Sequence, residues 1–425
     1  MRNIIEVLEE RGFIEALTSE ELRTLSNKPL KVYCGFDPSS DSLHVGNMVA
    51  IMGLAWFQRC GHIPVALVGG ATGMIGDPSG KTSERQLLDA ATIEKNLVGI
   101  SENLARILGD EKAPVKHMIV NNYDWFKEIA FIDFLRDVGK FFRVGVMLAK
   151  DSVRSRMESE DGMSFTEFCY QTLQGYDFYH LNKEHGVNVQ LGGSDQWGNI
   201  TAGIELTRKK SGQSTYGITF PLLTRSDGQK FGKSEKGAIW LSPKKLSPYE
   251  FYQYIVRVTD EDVIKLMRLL TFMEMTEIRQ FEAMMKESEY VPNTAQKKLA
   301  AEVTLIVHGE AGLDIALKVT QAALPGAKTI LNAEVLETFA KDMPSCILPI
   351  NEVVDVALVD LIVKVGLQSS RTEAKKLIRN GGASMNNDRI EKETDCVKKE
   401  DLIEGRLLLL SVGKKNKLLI KTTGG

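Results

Sequence analysis

The stretch from residue 31 to residue 70 constrains the fold more than any other part of the chain. Lys31–Cys34 reads as a short strand, followed by a loop of Asp, Ser, Pro and Gly. An apolar helix then runs from about Val45 to Cys60 and is closed by Gly61, a residue suited to a helix C-terminus because it lacks a Cβ. Ile63–Val68 is a second strand, apolar and β-branched, ending in Gly69-Gly70. Two strands joined by a helical crossover lie parallel in one sheet, since an antiparallel return needs only a tight turn. Asn188–Leu191, just before Gly192-Gly193, reads as a later strand of the same sheet.

The 425 residues predict two to four domains at roughly 100–200 residues each. With 43% hydrophobic and 26% charged residues, disordered and collagen-like chains are excluded. No apolar run reaches the ~18 residues of a membrane span; the best candidate, Val356–Leu367, is broken by Asp360 and Lys364. Glu6, Glu9 and Glu10 interrupt what would be a signal-peptide core, and Glu20 and Glu21 add to the case against a transit peptide, so the expectation is a cytoplasmic protein. Five dispersed cysteines without a CxxC pair predict neither a disulfide framework nor a zinc ribbon. Residues 1–30 read as helical: Ile4, Ile5 and Leu8 in one segment, Phe13, Ile14 and Leu17 in the next, with Thr18 or Ser19 as a cap before Glu20. Ser247–Ala323 is helical by the spacing of Phe251, Ile255, Val263, Leu266, Met267 and Leu270, and Ala323–Gly326 and Met343-Pro344 punctuate a linker. The net charge of −3 hides an asymmetry: residues 351–425 carry 14 Lys and Arg against 11 Asp and Glu. A basic tail on an acidic body suits a polyanionic partner.

Three loops hold residues fit to handle phosphate. The first leaves the 31–34 strand and contains Ser39, His44, Gly46 and Asn47 at the start of a helix. There, free backbone N–H groups and the helix dipole favour an anion. Alone, H-x-G-N is equally a capped helix with a surface histidine. The second, Gly73–Arg85, presents Lys81 and Arg85 on a glycine-rich turn. Three residues separate Gly76 from Gly80 where a P-loop needs four, which argues against a P-loop ATPase. The third, Lys230-Phe231-Gly232-Lys233-Ser234, sets two lysines around a glycine hinge that is suited to close over a triphosphate. Taken in order, H-x-G-N and K-F-G-K-S resemble the HIGH and KMSKS signatures of class I aminoacyl-tRNA synthetases. Asn47 stands in place of the second His, and Phe231-Gly232 in place of Met-Ser.

The segment Ser164–Asp177 reads as a helix with Tyr170, Gln174 and Asp177 at i, i+4 and i+7, on one face. That stripe of phenol, amide and carboxylate is either a solvent face or a site that grips an ammonium and a hydroxyl. Gly192–Asn199 follows a strand, where glycines allow close approach and Asp195 suits ribose hydroxyls. Tyr33–Pro38, Gly69–Gly80, Gln190–Asn199 and Lys230–Ser234 together closely resemble bacterial-type tyrosyl-tRNA synthetases, and the likeness runs along the whole chain. Leu358–Gly381 resembles an S4 RNA-binding unit: Ser370 caps a helix whose Ala374, Leu377 and Ile378 face inward, while Arg371, Lys375, Lys376 and Arg379 form a basic stripe.

The resemblance implies an α/β architecture. A Rossmann-type parallel-sheet catalytic domain spans residues 1–240, followed by an all-helical anticodon-side domain at 241–323, a linker region at 324–350 and a small α+β S4-like RNA-binding domain at 351–425. It implies that Tyr33 and Asp177 bind the substrate phenol, that Tyr170, Asp77 and Gln174 hold its ammonium, and that Gln196 lies near its carboxylate. Cys34, Gly35, Asp37, Gly46, Gly193, Asp195 and Ser234 would line the ATP site. Ser39, His44, Asn47, Lys81, Arg85, Lys230 and Lys233 would act catalytically, by positioning ATP and neutralising the departing pyrophosphate. The partners implied are L-tyrosine, ATP accompanied by Mg²⁺ with no protein metal site, tRNA(Tyr), and a second copy of the chain. Phe131–Arg154, with Leu135, Val138, Phe141, Phe142, Val144 and Val146, is apolar enough for that dimer interface, or for ordinary core. A nucleotidyltransferase using H-x-G-N for another acid or phosphate would leave the Tyr33–Asp177 pair and the S4-like tail unexplained. A non-catalytic RNA-binding protein is opposed by intact His44, Lys230 and Lys233.

Overall fold

The computed structural model describes residues 2–80, 87–158, 162–234, 237–322, 333, 336, 337, 344–413 and 416–423. These form two compact units, one of residues 1–246 and 254–307, the other of 247–253 and 308–425.

The first unit is built on a six-stranded sheet of β1 (Ala16–Leu17), β2 (Lys31–Phe36), β3 (Ile63–Val68), β4 (Met118–Asn121), β5 (Val189–Gly193) and β6 (Tyr216–Phe220), in the spatial order β1-β6-β5-β2-β3-β4. β2 to β6 run parallel, and β1 joins the edge antiparallel, while β7 (Lys233–Ser234) and β8 (Gly237–Ala238) pair in a separate antiparallel ribbon. The β2–helix–β3 unit forms as the sequence predicts, with the crossover helix at Met48–Arg59 preceded by a single 3-10 turn, Val45–Asn47. Met48, Ile51, Met52, Leu54 and Phe57 of that helix are buried, because a parallel sheet must be covered on both faces. Chain order reverses at β2: β3 and β4 lie on one side, β5 and β6 on the other. The loops that leave β2 and β5 therefore diverge and open a crevice at the carboxyl ends of the strands, where such sheets bind ligands.

One expectation for the N-terminus is corrected. The first helix ends at Arg11, where Gly12 takes a left-handed conformation (φ 80°). Beyond it, Ala16–Leu17 is strand rather than helix, pairing with Thr219 and Ile218 of β6. The Thr18 hydroxyl accepts the Gly217 N–H (2.8 Å) and so belongs to the sheet edge instead of capping a helix. Helical spacing in the short run Phe13–Leu17 yields to an open strand edge that satisfies the same backbone groups. Elsewhere in this unit, Arg11 donates to the carbonyls of Arg268, Thr271 and Met273 (2.8–2.9 Å) and so ties helix Asp260–Leu270 to the N-terminal helix. Burial lowers its guanidinium to a pKa of about 10, still charged at neutral pH.

The second unit carries a five-stranded sheet of β9 (Ser345–Pro349), β10 (Ala383–Met385), β11 (Asp388–Arg389), β12 (Leu407–Val412) and β13 (Asn416–Thr423), ordered β11-β10-β12-β13-β9. Leu408 and Leu410 of β12 pack on helices Leu358–Lys364 and Arg371–Arg379, while Leu407 and Leu409 pack with Val319 and Leu336 on the opposite face. This period of two buries both sides of the strand. Asn386 and Asn387 make the β10–β11 turn with φ of 49° and 72°, a left-handed pair that Asn tolerates. No helix among the described residues is long and apolar enough to cross a membrane.

Candidate active site

A cavity of about 660 Å³ occupies the crevice where chain order reverses. Of the residues singled out in the sequence, Tyr33, Cys34, Gly35, Asp37, Ser39, His44, Gly46, Asn47, Asp77, Tyr170, Gln174, Asp177, Gly193, Asp195 and Gln196 all line it. Four segments far apart in the chain supply them: the end of β2 with its following loop, the Gly73–Gly80 turn, the helix Phe165–His185, and the loop after β5.

One end of the cavity buries a phenol and a carboxyl side chain. Ser164 caps the Phe165–His185 helix, its side chain accepting the Glu167 N–H, and Tyr170, Gln174 and Asp177 fall on one face as their spacing requires. That face is not a solvent face, since Tyr170 and Asp177 are only 5% and 2% exposed. Asp177 accepts from Asn122 Nδ2 (3.1 Å) and Trp125 Nε1 (2.9 Å). Burial pushes its carboxyl well above the usual range, and these two donors pull in the other direction. Tyr33 is buried at 1% exposure, and its hydroxyl has no hydrogen-bond partner among the described residues. Burial raises its phenol as well, so it stays protonated and able to donate.

The middle of the cavity is a net of amides and carboxylates. The Tyr170 hydroxyl donates to Asp37 Oδ2 (2.7 Å), and Asp37 Oδ1 accepts from Thr72 Oγ1 (2.8 Å). Thr72 in turn accepts from Asn122 (2.9 Å), which links this net to Asp177. Gln196 donates to Asp77 Oδ2 (2.7 Å) and accepts from Gln174 (3.2 Å), and Asn199 donates to Gln174 (3.1 Å). A carboxylate, two amide oxygens and a phenol ring gathered here suit an ammonium, because each amide is already oriented by a neighbour.

The other end holds the H-x-G-N turn. Asn47 Oδ1 accepts the His44 N–H (3.0 Å), which leaves its amide nitrogen as the group able to donate. A Cβ on Gly46 would lie 2.8 Å from the His44 ring, so only glycine lets the imidazole fold over the turn. The Lys230–Ser234 turn packs against it: a Cβ on Gly232, whose φ is 90°, would sit 3.1 Å from Gly46 N. Tyr254 Oη accepts the Gly232 N–H (2.9 Å), and the buried Phe231 ring lies 5.4 Å from that of Tyr254. Phe231 and Gly232, the departures from the KMSKS pattern, are thus a buried anchor and a close-approach glycine. Cys34 is a neutral thiol at pH 7, since burial raises it to about 12.

Not every candidate lies at the cavity. Lys230 and Lys233 are exposed and do not line it. Lys81 and Arg85 fall outside the described residues, as does the Ser234 side chain. Asn122, Trp125, Thr72 and Asn199 were not given roles from the sequence. Asn122 and Trp125 follow the short edge strand β4, and nothing in that run announces that it will meet Asp177, 55 and 52 residues later. Among the described residues, no group of three or more His, Cys, Asp or Glu side chains is placed to hold a metal ion.

In the second unit, Ser370 caps the Arg371–Arg379 helix by accepting the Glu373 N–H (3.3 Å), and Ala374 and Ile378 are buried. Arg371, Lys375, Lys376 and Arg379 are all exposed. Arg371 pairs with Asp360 (2.8 Å), and Lys375 and Arg379 both face Glu393. Lys376 has no ion-pair partner among the described residues.

The family described as tRNA synthetases class I (W and Y) matches residues 25–324. A reversed-order parallel sheet with the H-x-G-N turn at its crevice defines a class I aminoacyl-tRNA synthetase fold. The tyrosine--tRNA ligase SYY-like C-terminal domain matches residues 334–420. The tyrosine--tRNA ligase of Protochlamydia amoebophila is 63% identical over 421 residues, covering 99% of both chains. The chloroplastic/mitochondrial tyrosine--tRNA ligase of Arabidopsis thaliana is 54% identical, over 99% of this chain and 83% of its own. A C-terminally truncated mitochondrial tyrosyl-tRNA synthetase from Aspergillus nidulans has the same fold, with a TM-score of 0.67 at 32% identity over 74% of this chain and 92% of that one. The chain belongs to the tyrosine--tRNA ligase family: it is an aminoacyl-tRNA synthetase that uses ATP to join tyrosine to tRNA.

Proposed function

We propose that the cavity binds tyrosine with its hydroxyl between Tyr33 and Asp177 and its α-carbon toward Gln196. The observation that carries this reading is the unpartnered Tyr33 hydroxyl beside a buried carboxylate that already accepts two hydrogen bonds. Tyr33 donates to the substrate's phenol oxygen, and Asp177 accepts the substrate's phenol proton. Phenylalanine satisfies neither group, and a buried polar atom left unpaired costs about 1–3 kcal/mol. Asp77, Tyr170 and Gln174 hold the ammonium, and Gln196 orients the carboxylate. Cys34, Gly35, Asp37, Gly46, Gly193, Asp195 and Ser234 line the ATP site.

The tyrosine carboxylate is ionised at neutral pH and needs no base to attack the α-phosphorus of ATP. The chain's task is alignment of the two substrates and neutralisation of the departing pyrophosphate. Ser39, His44, Asn47, Lys81, Arg85, Lys230 and Lys233 take that role, with Mg²⁺ entering as the counter-ion of ATP. Because Lys230 and Lys233 are exposed on a turn hinged at Gly232, they reach the phosphates by closure of that turn. The adenylate then passes tyrosine to the terminal ribose of tRNA(Tyr), held in part by Arg371, Lys375, Lys376 and Arg379. The working form is a cytoplasmic homodimer, its interface formed by Phe131, Ile132, Leu135, Val144 and Val146, which are 42–69% exposed in the single chain. Exposed apolar side chains concentrated in one stretch of chain support such an association.

ATP–pyrophosphate exchange with tyrosine, phenylalanine and tryptophan tests the specificity. Exchange is expected with tyrosine alone, and Tyr33→Phe should reduce the preference for tyrosine over phenylalanine by about 10-fold. An unchanged preference in that variant would remove the hydroxyl-reading role.

A further inference from the structure

We propose that His180 is a positioning residue for recognition of the tyrosine hydroxyl, acting through Trp125. The proposal rests on the reading above that Asp177 accepts the hydroxyl proton. Asp177 and His180 lie three residues apart on the Phe165–His185 helix, and the Trp125 indole touches both. Its Nε1 donates to Asp177 Oδ1 at 2.9 Å. Its face lies on the His180 imidazole with ring centroids 4.4 Å apart and planes inclined by 22°.

Trp125 is half-buried: its inner side packs with the Tyr33–Leu67–Phe178 cluster, while with His180 and Tyr176 it lines a broad surface cleft of about 1250 Å³. On the cleft side, therefore, the plate that holds the indole in plane is His180, itself bordered by Tyr176 (6.1 Å) and His185 (6.5 Å). A tryptophan has two rotatable side-chain bonds, and an N–H donor is useful only while its direction is fixed. Burial holds the His180 imidazole below its ordinary pKa, so at neutral pH it is an uncharged aromatic surface and adds no charge beside Asp177. Without that surface the indole gains freedom on its cleft side. Asp177 then keeps Asn122 as a fixed donor but loses the second one. With one donor fewer, the buried carboxyl is held less firmly both in its ionised form and in its orientation toward the phenol proton. Because the hydroxyl is bound in both the ground state and the transition state, the loss falls on KM for tyrosine and not on kcat.

The test is steady-state pyrophosphate exchange on the full chain with His180→Ala, His180→Phe and Trp125→Phe. His180→Ala is expected to raise KM for tyrosine about 3- to 10-fold, the range for loss of one aromatic pair. ATP KM, kcat and the kcat/KM for phenylalanine should stay at their original values. His180→Phe keeps a flat ring and should restore KM for tyrosine. Trp125→Phe removes the donor and should raise that KM at least as far as His180→Ala. A raised KM in Trp125→Phe with an unchanged one in His180→Ala overturns the role of His180 alone. An unchanged KM in Trp125→Phe overturns the underlying reading of Asp177. A uniform fall in activity toward tyrosine and phenylalanine in His180→Ala, or no rescue by His180→Phe, reduces His180 to a structural residue and also overturns the proposal.

Discussion

Titratable side chains buried in the cavity are tuned mainly by burial. Tyr33, Cys34 and Asp177 are all buried, and burial shifts each toward its neutral form, with the Asn122 and Trp125 donors opposing that shift at Asp177. His62 shows the same effect outside the site. It is 3% exposed, its Nδ1 accepts the Leu30 N–H (3.1 Å), and burial lowers its pKa to about 4. The folded state therefore binds fewer protons here than the unfolded state between about pH 6.5 and 4. The contribution is fully present above the unfolded pKa and is lost as pH falls through that window, up to about 3 kcal/mol in all. Denaturant unfolding of His62→Gln beside the original chain should show this as a difference in slope over that window. Parallel profiles would mean that His62 does not stay neutral in the fold.

At the scale of elements, the H-x-G-N turn and the Lys230–Ser234 turn are coupled through backbone. Gly232 approaches Gly46 so closely that a Cβ would lie 3.1 Å from its nitrogen, and Ile239 accepts the Val45 N–H through its carbonyl (2.8 Å). Gly232→Ala should push the turns apart and strain a φ of 90°, lowering kcat of pyrophosphate exchange about 10-fold while tyrosine binding is unchanged. Equal losses in both would place the effect in folding. The Tyr170–Gln174–Asp177 stripe was legible beforehand because helical spacing fixes a common face whatever the partner. The strand at Ala16–Leu17 was not legible, because two residues carry no period and become strand only where β6 offers its edge.

Over the whole molecule, acidic neighbours temper the basic stripe of the second unit. Lys375 and Arg379 share Glu393, and Arg371 faces Asp360, whereas Lys376 has no such partner among the described residues. In tRNA binding measured against salt, Lys376→Ala should therefore weaken affinity more than Lys375→Ala. Each should lower the slope of log K against log salt by about 1 or less, with adenylate formation spared. A loss of adenylate formation would assign the helix to catalysis. Of the apolar segment 131–154, Val138 is buried and Phe141 and Phe142 are half-buried, but Phe131, Val144 and Val146 are exposed. Val146→Asp should shift sedimentation toward the single chain at micromolar concentration, and an unchanged distribution would place the interface elsewhere.

The sequence by itself determined the parallel sheet, the helix that carries Tyr170, Gln174 and Asp177, the glycine turns and the capped basic helix. Each follows from local periodicity, capping or a residue that tolerates a particular backbone angle. Only the tertiary structure decided which side chains hold those residues in place. Asn122 and Trp125 reach Asp177 from the segment that follows β4, Thr72 joins Asp37 to Asn122, and Gly232 meets Gly46. It also decided that the Tyr33 hydroxyl is left without a partner among the described residues. Contacts between segments far apart in the chain depend on how the sheet orders its strands. Local residue types fix a strand's existence and its faces, and strand order is set by packing the whole core at once.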